Sequence, residues 1–211
     1  IEAGHFFGHD LRQEENIVYV LDLSGSMSSS SGSVVEDAGT DAAAGLAGGF
    51  VGGFAGRGAG RAVKRRVKKL KKKVEKVKMH LIASLAGLPE GSQFNVIMFA
   101  DGVQKLAPGM IPANGATKIA VSAFVDKLNA GGSTNMYKAV EAALYTRATH
   151  IIVLTDGLPT SSTPEAILDL VERHNASGRV RVSTVGVGAD QAYEFLNALA
   201  VANQGEFKSY N

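Results

Sequence analysis

The sequence predicts an α/β fold in which a doubly wound, largely parallel central sheet carries helices on both faces. Three observations support that expectation. Apolar runs at Ile17 to Leu21, Phe94 to Phe99, Ile151 to Leu154 and Val180 to Val185 alternate with stretches whose apolar residues recur at helical spacing, the pattern of repeated strand-helix units. The runs are nearly continuous rather than alternating with polar residues, as in strands covered on both faces. Two of them end in a carboxylate, Asp22 and Asp156, at the point where a parallel strand opens into a loop. With 211 residues and 45% hydrophobic content, the chain suits one sizeable core rather than two full domains.

In order along the chain, Ile1 to Asn16 reads as a terminal arm whose large apolar anchors are Phe6 and Phe7. Ile17 to Asp22 is the first strand. A Ser-rich turn and a Gly/Ala tract then fill residues 30–61, and Ala62 to Leu85 reads as the first helix, because Val63, Val67, Leu70, Val74, Val77, Leu81 and Leu85 recur three or four residues apart. Gly87 to Gly91 ends that helix. Strand Phe94 to Phe99 closes at Asp101-Gly102, and Val103 to Leu106 can pair as an edge hairpin. Thr117 to Leu128 is amphipathic and leads into Gly131-Gly132-Ser133-Thr134, after which Asn135 is a candidate N-cap for a helix over Met136 to Thr146. Strand Ile151 to Thr155, helix Pro164 to Asn175, strand Val180 to Val185 and helix Gln191 to Ala202 complete the alternation.

The formal net charge of +2 conceals an asymmetry: 12 of the 22 Lys and Arg and one of the 20 acidic residues lie between Arg57 and Lys78, which gives that stretch +11 and the remainder −9. Such a basic segment can meet an anionic membrane surface, a partner subunit's acidic face or the chain's own acidic body. Nucleic acid ranks below these, since no aromatic residue interleaves the cluster. Just before it, Gly45, Gly49 and Gly53 form one four-residue series and Gly48, Gly52, Gly56 and Gly60 another, beside Leu46, Phe50 and Phe54. Each glycine costs an exposed helix about 1 kcal/mol against alanine, whereas between close-packed helices it permits backbone approach. The uncharged run is short of the roughly 20 residues that span a bilayer. A flexible linker, a self-association helix over 42–60 and a shallow membrane contact compete, and homo-oligomeric contact weakened by salt is the expectation.

Chemistry concentrates in Asp22-Leu23-Ser24-Gly25-Ser26, in Thr134 and in Asp156. Two carboxylates held close at a strand edge repel, and a divalent cation neutralises them while accepting hydroxyl oxygens as neutral ligands; Mg²⁺ is the natural candidate, with Mn²⁺ or Ca²⁺ as alternatives. The set resembles the metal-ion-dependent adhesion site of von Willebrand factor A-like domains, also called integrin I-like: Asp-x-Ser-x-Ser, a distant Thr and a later Asp. Every position of that pattern is filled here. The resemblance implies a Rossmann-like fold. It also implies an ion coordinated by Ser24, Ser26 and Thr134, by Asp22 and Asp156 directly or through water, and by the Asp or Glu of a protein partner. It covers Asn16 to Ser28 and about Ala62 to the C-terminus, so residues 17–29 and 62–211 form the expected domain, with 1–16 as its arm and the Gly-rich 30–61 as an insertion.

Other chemistry is missing. No phosphate-binding Gly-x-x-x-x-Gly-Lys loop occurs, and Gly186-Val187-Gly188 lacks the third glycine of a dinucleotide fingerprint. His5 and His9 stand four apart without an evident third ligand, and His80, His150 and His174 pair with no nucleophile motif. Asp101 lies on the expected ligand edge, either supporting the site or forming a simple Asp-Gly turn. The chain has no cysteine, which excludes disulfides and thiolate chemistry and leaves the compartment open; a secreted, cell-surface or membrane-associated setting is the expectation. The expected function is non-enzymatic, metal-dependent protein binding in adhesion or assembly. An assembly or membrane-attachment subunit is the alternative, and a metal-dependent hydrolase the third reading.

Overall fold

The computed structural model describes residues 1–25, 27, 73–126, 133–188 and 191–210. Ser26, the Gly-rich tract over 30–61, the basic residues up to 72 and Gly131-Gly132 therefore lie outside the described residues. The described strands are β1 (His5–Phe6), β2 (His9–Asp10), β3 (Asn16–Asp22), β4 (Gln93–Phe99), β5 (Val103–Lys105), β6 (Ile111–Pro112), β7 (His150–Thr155), β8 (Arg181–Val187) and β9 (Phe207–Tyr210). Helix α1 is described over 73–86; α2 (Gly115–Asp126), α3 (Met136–Leu144), α4 (Pro164–His174) and α5 (Tyr193–Val201) follow.

The main sheet runs β5-β4-β3-β7-β8-β9, with β6 paired to the start of β4. Strands β4, β3, β7, β8 and β9 are mutually parallel, and only the short β5 and β6 are antiparallel to β4. Strand β3 comes first in sequence among these parallel strands and lies between β4 and β7. The chain thus winds to one side of β3 to make β4, then crosses back to place β7 on the other. That reversal makes a topological switch point at the carboxyl ends of β3 and β7, the edge at which open α/β sheets bind ligands.

Side chains alternate across the sheet and divide the core in two. Ile17, Tyr19, Leu21, Phe94, Val96, Met98, Ile152 and Leu154 face Val77, Leu81 and Leu85 of α1 and Val121 and Val125 of α2. Val18, Val20, Ile97, Phe99, Ile151 and Val153 face Met136 and Val140 of α3, Ile167 and Leu170 of α4, and Leu196 and Leu199 of α5. Both faces of β3 are therefore dry, which accounts for its unbroken apolar run. Tyr19, wholly buried, satisfies its hydroxyl on Ser84 Oγ of α1 at 2.6 Å.

The amino-terminal sixteen residues are more firmly seated than a terminal arm with two anchors. β1 and β2 form a tight hairpin through Phe7 and Gly8, both at positive φ, and Leu11 is buried beside Phe6 and Phe7 in the α1 core. Phe7 stacks on His80 with centroids 3.9 Å apart, and Gly4 N–H donates to Ala83 O at the end of α1. A Cβ at Gly87 would run into the backbone of Ala3 and Gly4, so glycine there permits the close approach. Strand β9 was not anticipated either; it extends the sheet beyond β8 after Gly205, where a Cβ would strike the Val182 carbonyl.

Two buried histidines join the amino-terminal segment to β7 and β8. His9 Nε2 lies 3.4 Å from Thr184 O, while His150 Nε2 lies 2.8 Å from Ser183 Oγ and its Nδ1, 3.5 Å from Glu14, makes no hydrogen bond among the described residues; Glu14 pairs with Arg181 instead. Burial is the main influence on both, and it lowers each to about 4. Because the folded value lies below the free value near 6.5, the unfolded chain binds more protons between the two. Their contribution is therefore complete above pH 6.5 and is lost as pH falls toward 4, up to ~3 kcal/mol for each histidine. Urea unfolding at stepped pH should show this loss, and His150→Gln should remove about half of the slope in that window.

Asn95 in β4 is wholly buried and fixes the loop between β5 and β6: it donates to Ala107 O and Gly109 O, both at 2.9 Å, and accepts from Val96 N–H at 2.8 Å and Ala107 N–H at 3.3 Å. Asn95→Ala leaves those groups without their buried partner and should lower the unfolding free energy by roughly 2–4 kcal/mol, measured by urea titration at pH 7.

Candidate metal centre

Asp22 is the last residue of β3 and only 1% exposed. Its Oδ1 accepts from Ser24 N–H at 2.7 Å and its Oδ2 from Thr155 Oγ1 at 2.6 Å, and the Ser24 side chain also donates to it. Burial pushes the carboxyl above its ordinary value, the hydrogen bonds from Thr155 and Ser24 pull it back, and the charge of nearby Asp156 pushes it up again. The outcome is a raised carboxyl. Keeping it ionised costs the fold stability as pH rises through its folded value, so a cation at this edge would return stability at neutral pH.

Asp156 follows β7, one residue after Thr155, and is also buried. Lys73 Nζ approaches Asp156 Oδ2 to 3.2 Å from the start of the described part of α1. Ser24 is buried, and its carbonyl accepts from Met27 N–H at 2.9 Å, closing the turn after β3. Thr134 is buried and reaches the same edge through backbone links. Its N–H donates to Thr160 Oγ1 at 2.7 Å, Asn135 N–H donates to Ala100 O at 2.9 Å, and Ser133 N–H donates to Asp101 Oδ1. Asp101 thus braces the threonine loop from the end of β4.

Asp22, Ser24 and Asp156 are brought together by these contacts, and Thr134 is held between the loops that leave β4 and β7. Thr155, Thr160 and Lys73 were not anticipated as neighbours of the site. A hydroxyl in the residue before Asp156 was a readable signal for Thr155. Lys73 had none, being one of 12 cations in its segment. Asn135 does precede α3, but it forms no side-chain cap bond.

The oxygen-only donor set suits a hard cation, and the Lys73 ammonium already stands as a cation against Asp156, so the residues present fit a divalent ion. Among the described residues no group of three or more His, Cys, Asp and Glu side chains is arranged to hold a metal. Cation capacity here rests on two carboxylates with hydroxyls. His5 lies beside Glu2 and Asp10 on the hairpin's exposed side while His9 turns into the core, so the two share no metal geometry. Two clefts among the described residues lie away from the site: one between α4 and α5 lined by Glu172, Asn175 and Asn203, the other at the opposite sheet edge lined by Glu14, Glu90 and Arg147.

Comparison with known proteins places this architecture. The chain is 30% identical over 146 residues to human (Homo sapiens) inter-alpha-trypsin inhibitor heavy chain H4, covering 62% of this chain and 16% of that protein. It is 27% identical over 145 residues to inter-alpha-trypsin inhibitor heavy chain H1 of Mesocricetus auratus, with the same 62% and 16% coverage. The chain spans under a fifth of the length of these relatives. Among solved structures, a von Willebrand factor type A protein from Catenulispora acidiphila superposes with TM-score 0.68 at 20% identity, over 94% of this chain and 39% of that one. The mussel byssus proximal thread matrix protein 1, with a zinc-occupied metal-ion-dependent adhesion motif, gives 0.56 at 19% identity, over 93% and 41%. The manganese-loaded TRAP protein of Plasmodium vivax gives 0.51 at 16% identity, over 90% and 63%. At these identities the superpositions speak for the fold alone. Residues 67–208 match the model of the family described as von Willebrand factor type A domain; the matched span begins after Asp22 to Ser26, whose strand the structure nonetheless places inside the same sheet. With that match spanning more than half of its residues, the chain belongs to the von Willebrand factor type A domain family.

Proposed function

We propose that this chain is a divalent-cation-dependent protein-binding module, non-enzymatic, whose ion is held by Asp22, Ser24, Ser26, Thr134 and Asp156 and completed by an Asp or Glu of the partner. The observation that carries the reading is the desolvated Asp22 carboxylate beside Asp156 at the switch-point edge, under the hydroxyls of Thr155 and Ser24. A bound ion, Mg²⁺ by preference and Mn²⁺ or Ca²⁺ otherwise, would supply charge neutralisation and an open coordination position. Thr155 and the Ser24 backbone orient Asp22, and Asp101 and Thr160 hold the backbone around Thr134, so Asp22 and the threonine loop are positioned before a partner arrives. Leu158, exposed two residues beyond Asp156, offers an apolar contact on the rim for a partner segment. Support also comes from the zinc- and manganese-bearing proteins that share the fold.

The alternative of assembly or membrane attachment rests on 42–60 and 57–78, most of which lie outside the described residues. The described lysines of the basic helix are engaged within the chain: Lys73 on Asp156, Lys76 over the Tyr210 ring at 4.9 Å and Lys78 on Glu75 at 3.7 Å. Part of the basic charge is thus met by the chain's own body. No described helix is long and apolar enough to cross a membrane.

Mg²⁺ or Mn²⁺ at a hundredfold over its dissociation constant should raise the melting temperature by roughly 5–10 °C relative to EDTA. In calorimetric titration, Asp22→Ala combined with Asp156→Ala should abolish that binding; unchanged affinity would sink the site assignment. Carboxylate-bearing peptides, screened as an array against the loaded protein, should be retained with Mg²⁺ and released by EDTA, while generic phosphoesters should show no turnover. Retention indifferent to EDTA, or metal-dependent phosphoester hydrolysis, would refute the binding reading.

A further inference from the structure

Lys73 is set apart from the other described lysines of α1 by where its side chain goes. Its ammonium reaches 3.2 Å from Asp156 Oδ2, with the lysine side chain 22% exposed and the carboxylate side chain 5%. To arrive there it crosses Gly188 at the end of β8: a Cβ on that residue would sit 2.8 Å from Lys73 Nζ and 3.1 Å from Cε, and Gly188 has φ +95. Gly188 is itself fixed by its N–H on Tyr210 O at 2.8 Å. A backbone notch on one strand therefore leads the lysine to the carboxylate at the end of the next. A lysine drawn only to general surface acidity would not need such a path.

We propose that Lys73 is a built-in counter-ion of the metal centre, which holds Asp156 in the unloaded protein, competes with the divalent cation for that carboxylate and is released when the cation binds. The inference rests on the metal-site reading above. An ammonium and a divalent ion on one poorly solvated carboxylate repel, because charge interactions a few ångströms apart are weakly screened there. Lys73 meets the charge of Asp156 at 3.2 Å, so this carboxylate has a counter-ion before any cation arrives. Loading must then overcome the Lys73–Asp156 pair, and Lys73 becomes the residue that sets the cation's affinity.

The test uses the full chain as wild type, Lys73→Met and Lys73→Arg, with circular dichroism to verify folding. Calorimetric titration with Mg²⁺ and Mn²⁺ should give Lys73→Met roughly tenfold tighter binding than wild type, the scale of losing one partly buried ion pair, with Lys73→Arg near wild type. In EDTA, Lys73→Met should melt below wild type, and at saturating Mg²⁺ the two should converge. A second readout follows the lysine directly: labelling of Lys73 by an amine-reactive reagent, mapped by mass spectrometry, should quicken on adding Mg²⁺. Uptake by Lys73→Met but not by wild type would support the proposal in its strongest form. Unchanged or weaker affinity in Lys73→Met, or labelling indifferent to Mg²⁺, overturns the Lys73 role and leaves the metal site standing. No cation uptake by any of the three proteins overturns the metal reading and this inference with it.

Discussion

The burial of Asp22 is the constraint on which the rest of this structure depends. A carboxylate at the end of the central strand, almost without solvent, is costly unless its charge is met. The fold meets it with hydrogen bonds from Thr155 and from Ser24, and then adds a second carboxylate at Asp156, which makes the problem worse. Structural stability alone would have favoured an apolar residue, or a single neutralised pair, at the head of β3. Two carboxylates converging under hydroxyl donors form an edge that attracts positive charge, as the approach of the Lys73 ammonium to Asp156 shows.

That edge exists because of the winding. Placing β3 between β4 and β7 sends the loops after all three strands to one side, and each delivers a piece: Asp22 and Ser24 after β3, Asp101 after β4, Asp156 and Thr160 after β7. Thr134 comes from none of these strands and is tied by its backbone neighbours to two of the loops. Helix α1 supplies the buried face of β3 through Val77, Leu81 and Leu85, and the same helix carries Lys73 to Asp156. The core packing of α1 therefore fixes the distance from which Lys73 works. The amino-terminal hairpin in turn packs through Phe7 and His80 against α1, so a segment remote in sequence helps hold that helix.

The parts legible in the sequence were those with a repeated signal. Strands β3, β4, β7 and β8 stood out because burial on both faces enforces long apolar runs, and α1 stood out through its stripe at Val74, Val77, Leu81 and Leu85. Strand β9 and the β1-β2 hairpin did not, since Phe207 to Tyr210 and His5 to Asp10 are too short for any period to show; their order comes from tertiary contact with β8 and α1. Leu11 is one apolar residue among polar neighbours, and nothing local marks it as core. At the site, the candidate ligands were readable because carboxylate and hydroxyl chemistry is carried by residue identity. The orienting groups Thr155 and Thr160 act through geometry that only folding creates. Ser26, which completes the motif, and the glycine series lie outside the described residues, so the motif is legible in full but located in part.

On the proposed reading, charge accounting gives a reason for hydroxyls, rather than a third carboxylate, to complete the ligand set. Two carboxylates against a divalent ion sum to neutrality and leave the ion able to attract a further anion; a third would leave the site negative and turn a partner's Asp or Glu away. Among the described residues, Asp22 and Asp156 against the Lys73 ammonium sum to a negative charge in the unloaded protein. On the proposed reading, exchanging Lys73 for a divalent ion raises the local charge by one unit and places the gain at the carboxyl ends of β3 and β7. An anionic partner then meets repulsion before loading and a neutral edge with an open cation position afterwards. The lysine would thus affect more than the ion's affinity: by keeping the empty edge folded yet negative, it would make recognition of an acidic partner conditional on the cation.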